Sequence, residues 1–351
     1  MKIFPLLVLV LLTSCSTSKI SPSRTPAGWT PNDPPLRGTN ITIDLEDKDL
    51  EFFAHEWRGK IVRVLHGSPL LDKPPYSPKP EVVQGIFSRV DKAIQLNLTV
   101  VIGLAVSVED QDGFFNNPQY RDAFANLWRT IARRYAKNSA NVIYDLMNEP
   151  HDSVAKKEWP KYARELTAAI REIDPKHTLM VEPFEWGWPG GFTDFEPTGD
   201  SNTVYSFHFY GPMYLTSQNG FDEGGKFIGF AKSTEKQWAE RVYPGFIQGE
   251  MWNRSTIEKK LEPAFKFRDQ YHVPVWCGEF GIIRWSKGAK EWFRDMIEVL
   301  EENRMGWAYY AYREKGWHVM DIEMDPAIKY RNQATTRSDT PFVELLKKYY
   351  R

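Results

Sequence analysis

Eight short runs rich in β-branched and aromatic residues recur along the chain, each followed by a longer polar or amphipathic stretch. This alternation constrains the fold more than any other feature. The runs are GTNITID (38 to 44), KIVRVLHG (60 to 67), LTVVIGLAV (98 to 106), NVIYDLMNE (141 to 149), TLMVEP (178 to 183), TVYSFHFYG (203 to 211), VPVWCGEFG (273 to 281) and GWAYYAYRE (306 to 314). Strand, crossover and next parallel strand is the arrangement such a pattern specifies. Eight repeats within a 351-residue chain predict an α/β fold, a (β/α)8 barrel forming a single domain. A doubly wound open sheet would alternate in the same way, but no GxGxxG follows the first strand. The crossover helices are clearest at 118 to 136, 156 to 173, 257 to 271 and 288 to 303, where apolar residues recur at helical spacing among charges. The segment from 211 to 256 is too long for an ordinary loop and is rich in Gly and aromatic residues, as expected of a loop built over a cleft.

The N-terminus sets a second expectation. MKIFPLLVLVLLTSC has one Lys, an apolar run too short for a spanning helix, and small residues before a cysteine. It resembles a bacterial lipoprotein signal, with Leu12-Thr13-Ser14-Cys15 as the cleavage box and Cys15 as the lipidated first residue of the mature chain. An ordinary secretory signal that happens to contain a Cys is the alternative. The expected division is a signal peptide at 1–14, a Ser/Thr/Pro-rich tether at 15–35 and the barrel at 36–351. The expected location is the bacterial cell envelope, anchored in the bilayer through Cys15, with Ser16 compatible with outer-membrane sorting. Only Cys277 then remains, so no intrachain disulfide is expected. A formal net charge of −1 gives no electrostatic grip on nucleic acid, and the chain is expected to act as a monomer.

Active-site residues of such barrels lie at the C-terminal ends of the strands. Two apolar runs end there in a carboxylate: VIYDLMNEP brings Glu149 to the end of the fourth, and VWCGEFG brings Glu279 to the end of the seventh. Burying a carboxylate without a partner is expensive, so each placement calls for a reason. Two carboxyls facing one another across a cleft are what glycosidic bond cleavage requires, one to protonate the leaving oxygen and one to attack or to activate water.

With these residues in view, the chain resembles glycoside hydrolase family 5, cellulase-type retaining β-glycanases on a (β/α)8 barrel. The strand-four ending Asn148-Glu149-Pro150 and the strand-seven Gly278-Glu279-Phe280 carry the resemblance. It implies that Glu149 is the acid/base, Glu279 the nucleophile, and Asn148 a ligand of the sugar 2-hydroxyl. Arg63 in IVRVLHG matches the family's strand-two arginine beside the nucleophile, and His208 and Tyr210 in YSFHFYG match its strand-six pair. An Arg inside a Val-rich strand needs an anionic partner in any case. Two positions depart from the family. Ala105 stands about where many members carry a strand-three His, with His66 a candidate substitute, and Tyr310 stands where a Trp platform is common.

Aromatic residues make up 14% of the chain and gather where a cleft would form, including Trp186 and Trp188 after strand five, Tyr214 after strand six, Trp252, and Trp317 after strand eight. Of these, Trp188 and Trp252 are candidate sugar contacts alongside Tyr310. The loop PFEWGWPGGF (183 to 192) is too rich in Gly and Pro for strand or helix and is expected to form a cleft wall. No metal is expected: the seven histidines show no HExxH or His/Cys ligand spacing. Asp321, Glu323 and Asp325 lack the Gly and terminal Glu of a calcium loop and are expected in a solvated turn. No cofactor is implied. The resulting expectation is a retaining endo-β-glycanase acting on β-1,4-linked polysaccharide, endoglucanase-like. A β-mannanase or other β-glycosidase of the same family is the alternative, or a glycan-binding lipoprotein on a barrel that has lost catalysis.

Overall fold

The computed structural model describes residues 35–106, 111–138, 142–217, 220–221, 227–229, 235–314, 320–326 and 337–350. The leader, Cys15, most of the tether and Trp317 lie outside the described residues. Eight strands close into a parallel barrel: β1 (Arg37–Thr42), β2 (Ile61–His66), β3 (Thr99–Leu104), β4 (Val142–Asp145), β5 (Thr178–Val181), β6 (Thr203–Phe209), β7 (Val275–Phe280) and β8 (Gly306–Tyr309). They pair in sequence order, and β1 meets β8 to complete the ring. The barrel expected from the alternation is the one observed.

Around it lie α1 (Asp47–His55), α2 (Pro80–Gln95), α3 (Pro118–Tyr135), α4 (Ala155–Arg171), α5 (Arg254–Tyr271), α6 (Ala289–Glu302) and α7 (Pro341–Tyr349). Their starts follow from local chemistry. Asn117 caps α3 by accepting from the Tyr120 N–H with Pro118 next to it, and Asn253 caps α5 by accepting from Thr256. The place in the ring after β5 is filled by a 3-10 helix, Pro189–Asp194, which packs on α5 with Phe192 and Phe267 stacked at 4.5 Å. The loop 183 to 192 therefore runs into a short helix, which its Gly and Pro content concealed. Within the long segment after β6, a two-stranded antiparallel ribbon pairs Gly245–Ile247 with Glu250–Trp252. Among the described residues no helix is long and apolar enough to cross a membrane.

The barrel interior changes character along its axis, and this change positions the site. One layer of inward side chains is apolar: Ile61, Val101, Ile143, Met180, Val204, Trp276 and Ala308. Two residues further along six of these strands, the inward positions are Arg63, Gly103, Asp145, Glu182, Ser206 and Gly278. Because side chains alternate with period two, a polar chamber follows directly on an apolar floor. Three helix tryptophans fasten the loops at its rim. The indole N–H of Trp128 donates to Leu146 O at 3.0 Å, that of Trp159 to Glu182 O at 2.8 Å, and that of Trp292 to Gly211 O at 2.9 Å.

Asp321 and Glu323 do not form a solvated turn. Both are buried, with Arg313 donating to both carboxylate oxygens of Glu323 and Arg337 donating to Asp321 at 3.2 Å. Asp321 and Glu323 form a structural ion-pair cluster whose basic partners stand on either side of it in sequence, while Asp325 is exposed as expected.

Candidate active site

Arg63 is wholly buried in β2, and its guanidinium organises the chamber. Nε donates to Asp145 Oδ2 at 2.8 Å. Nη1 donates to Glu279 Oε1 at 2.6 Å and to Asn40 Oδ1 at 3.1 Å, and Nη2 to Asn148 Oδ1 at 2.7 Å and to Glu182 Oε1 at 3.0 Å. Only a planar fork of five donors can serve so many acceptors at once. The three carboxylates push the Arg63 pKa up against the opposing effect of burial.

Glu279 reaches the chamber because β7 bulges. Cys277 pairs with Phe207 and Glu279 with His208, so the strand carries one extra residue there, Gly278. In a regular pleat Glu279, two residues after the outward Cys277, would face outward; the bulge turns it to the same face as His208. Gly278 is required at this point, since a Cβ there would lie 2.4 Å from Ser206 Oγ and 3.1 Å from His208 Nε2. The second oxygen of Glu279 accepts from the Tyr210 hydroxyl at 2.7 Å. Burial together with the charge of Glu279 holds the Tyr210 phenol well above its ordinary pKa, so it stays a donor.

Glu149 stands differently. β4 ends at Asp145, earlier than the apolar run suggested. The Asn148 N–H still bonds to Leu104 O at 2.8 Å, but Glu149 turns into the left-handed region at φ +50. Its side chain remains 21% exposed, opening to solvent where Glu279 does not. Its Oε1 lies 2.8 Å from Nδ1 of the buried His208. Burial raises the Glu149 pKa and the charge of Glu279 adds to this, while the bond to His208 works in the opposite direction. His208 is itself held well above the usual histidine range, because Glu182, Glu279 and Glu149 together outweigh its burial. One donor atom each from Glu149, His208 and Glu279 lies within 4.8 Å of the others. A guanidinium on Glu279 and a protonated imidazole on Glu149 make this set a poor cation site.

The loop after β5 presses on this arrangement. Glu185, Trp186 and Gly187 all have positive φ, at +67, +59 and +68. Non-glycine residues in that region are strained and persist where surrounding contacts impose them. Here the Trp186 N–H bonds to Pro150 O, its ring stacks on His151 at 3.4 Å, and Gly187 O accepts from the His208 N–H. The exposed Trp186 ring is thereby fixed beside Glu149, whose carbonyl lies 2.6 Å from His151 Nδ1.

The structure thus brings Arg63, Asn148, Glu149, His208, Tyr210 and Glu279 into one network. Tyr310 follows β8, packed with Tyr210, Trp285, Ile283 and Met320, its hydroxyl donating to Glu314 at 3.1 Å. Three other expected sugar contacts lie outside this hydrogen-bond network. His66 is half-buried with Nδ1 3.2 Å from Gly67 O, and it makes none of the network's contacts. Trp252 is 7% exposed in the hydrophobic core, against Gly211 and under the Lys260 ammonium at 5.6 Å, which leaves little face for a sugar. Trp188 is half-buried and packs edge-on against Phe209 at 5.6 Å.

Two carboxyls escaped the sequence reading. Burial pushes Asp145 up to about 7, with Arg63 pulling the other way. Glu182 is fully buried at the end of β5, and it lies well paired: Oε1 is 3.2 Å from His208 Nε2 and Oε2 accepts from the Glu149 N–H at 2.8 Å. His208 and Arg63 hold it ionised against burial. The signal was present, because TLMVEP runs from an apolar strand into Glu-Pro just as VIYDLMNEP does.

A family model for cellulase, glycosyl hydrolase family 5, matches residues 29–316. The chain belongs to that family. Endoglucanase C of Acetivibrio thermocellus is 24% identical over 68% of this chain and 76% of its own length. Cellodextrinase A of Ruminococcus flavefaciens is 24% identical over 63% of this chain and 66% of its own. Among solved structures, Thermotoga maritima Cel5A in complex with cellobiose superposes with TM-score 0.69 at 19% identity, covering 89% of this chain and 97% of that one. The Clostridioides difficile cellulose synthase subunit Z gives 0.69 at 20% identity, over 89% and 99%. The protein is an endoglucanase-like family 5 glycoside hydrolase.

Proposed function

We propose that this family 5 hydrolase is a retaining endo-β-1,4-glucanase working by double displacement. The observation that carries the reading is the placement of Glu149 and Glu279, whose nearest donor oxygens lie within 4.8 Å. Retaining enzymes hold their carboxyls about 5 to 5.5 Å apart, whereas inverting ones leave about 6.5 to 9.5 Å for a water. Glu279, gripped by Arg63 and Tyr210, attacks the anomeric carbon. The bond to the leaving oxygen breaks as Glu149 delivers its proton there. Glu149, now a carboxylate, takes a proton from water, which attacks the same carbon and frees Glu279. Asn148, oriented by Arg63, is placed to bind the sugar 2-hydroxyl, and Tyr310 and the exposed Trp186 offer apolar faces for neighbouring sugars.

The relatives named as endoglucanases support a glucan over a mannan as substrate. The N-terminal sequence supports a chain tethered to the cell envelope through lipidated Cys15. Reducing-sugar release on glucans, glucomannan and mannan, with the Glu149→Gln protein alongside, tests the reading. Activity on β-1,4-glucan that the variant loses is expected. Equal activity of the variant would overturn the assignment of the acid, and preferential mannan cleavage would overturn the substrate.

A further inference from the structure

Glu182 has no step in the double displacement, yet groups from three elements converge on its two oxygens. Arg63 Nη2 from β2 donates at 3.0 Å and the Glu149 N–H beyond β4 at 2.8 Å, while His208 Nε2 from β6 lies 3.2 Å away as an ion-pair partner outside hydrogen-bond geometry. An amide at this position would offer one acceptor oxygen and turn an NH2 group toward one of these donors. The position is also rigid. Trp159 holds the Glu182 carbonyl, and the Gly187 backbone passes so close that a Cβ there would lie 2.8 Å from Glu182 Oε2.

The charges of the chamber explain why an anion belongs there. His208 faces Glu149 from the loop after β4, Glu182 from β5 and Glu279 from β7, with Tyr210 next on its own side. Arg63 and Asp145 complete the charged groups. Two cations thus meet four carboxyls, and a buried site near neutrality holds protons on two of them. With Glu182 and Glu279 ionised, Glu149 can remain the protonated partner of His208. If Glu182 were neutral, Glu149 would become the counter-ion of the imidazolium, and a carboxylate has no proton to give a leaving group.

We propose that Glu182 is a positioning residue for the acid/base, fixing the left-handed backbone of Glu149 and supplying the anion beside His208 that lets Glu149 keep its proton. This rests on the reading of Glu149 as the proton donor. The test is the pH dependence of kcat/KM for Glu182→Gln on two substrates, a cello-oligosaccharide and 2,4-dinitrophenyl β-cellobioside, whose leaving group departs without a proton. On the oligosaccharide a loss of about 100-fold is expected, the usual contribution of general acid catalysis. The alkaline limb moves to lower pH by about one unit, since a buried negative charge has been removed. On the dinitrophenyl substrate kcat/KM stays near that of the parent. Equal losses on both substrates with an unmoved limb would overturn the proposal and leave Glu182 as a structural partner of Arg63. Glu182→Asp keeps the charge and withdraws it from the Glu149 N–H, so it should lose rate on the oligosaccharide alone with the limb in place. That variant decides the matter even if Glu182→Gln does not fold, because equal losses on both substrates again refute the role. Glu149→Gln, run in parallel, separates the two readings: full turnover of the oligosaccharide by that variant refutes the acid assignment itself.

Discussion

Replacing Arg63 by Met removes the guanidinium and nearly keeps its volume, and the structure sets the size of the consequence. Glu182 and Glu279 lose a buried ion-pair partner each, and Asp145, Asn148 and Asn40 each lose a hydrogen-bond donor. Breaking one buried pair by removing one partner costs about 3 to 5 kcal/mol, because the other charge is left uncompensated. The loss is not the sum over five contacts, since His208 still faces both Glu182 and Glu279 and the carboxyls can take up protons. About 3 to 5 kcal/mol is therefore expected near pH 8. The sign of its pH dependence follows from linkage. In the parent, the folded-state pKa of Glu182 is lowered, so its contribution is present above the unfolded value of about 4.3 and fades as pH falls. In the variant, the burial of Glu182 without Arg63 raises its folded pKa. The folded chain then binds more protons than the unfolded chain, and its stability falls as pH rises. Urea unfolding of both proteins at pH 4.5 and pH 8 reads this directly. A destabilisation under about 1 kcal/mol, or one equal at both pH values, would refute the argument that Arg63 is the counter-charge of a buried carboxylate cluster.

Three further perturbations address single links. Tyr210→Phe removes a hydrogen bond to the buried Glu279 carboxyl, worth about 1.5 to 3 kcal/mol, so the melting temperature should fall by a few degrees and kcat on soluble glucan by roughly 10- to 100-fold. Gly278→Ala drives a methyl group against Ser206 and His208, so calorimetry should show a loss of about 1 to 3 kcal/mol and assays a larger loss of activity than of stability. Because the raised pKa of Glu149 keeps it protonated above the ordinary Glu range, kcat/KM on oligosaccharides should persist there and decline as pH rises through that raised value. The Glu149→Gln protein, assayed on a dinitrophenyl glycoside, should lack that decline.

Most of the fold was legible because the barrel repeats one simple unit. The inward and outward faces of each strand are both covered, so the strands read as near-continuous apolar runs, and four helices carried a clear apolar face. What the sequence concealed is local. The end of β4 depends on the left-handed turn at Glu149, a conformation that residue type does not specify. The 3-10 helix Pro189–Asp194 hides inside a Gly- and Pro-rich stretch. In the site, Glu149 and Glu279 stood out because each ends an apolar run, and Arg63 because a buried cation needs an anion. Glu182 obeys the same rule as Glu149 but has no counterpart among the motifs by which the family was recognised. Asp145 lies mid-run, where only three-dimensional pairing with Arg63 gives it meaning. Trp252 shows the opposite error: position near a strand end does not determine whether a ring faces the cleft or the core.

The central claim is that Glu279 forms a covalent bond to the sugar while Glu149 moves the proton. Incubation with 2,4-dinitrophenyl 2-deoxy-2-fluoro-β-cellobioside slows release of the covalent intermediate, and mass spectrometry of the digested protein then locates the sugar. The account predicts one fluoro-sugar per chain on the peptide containing Glu279, with activity returning as the label is lost. A label on Glu182 or Glu149, or an active protein that never becomes labelled, would contradict it.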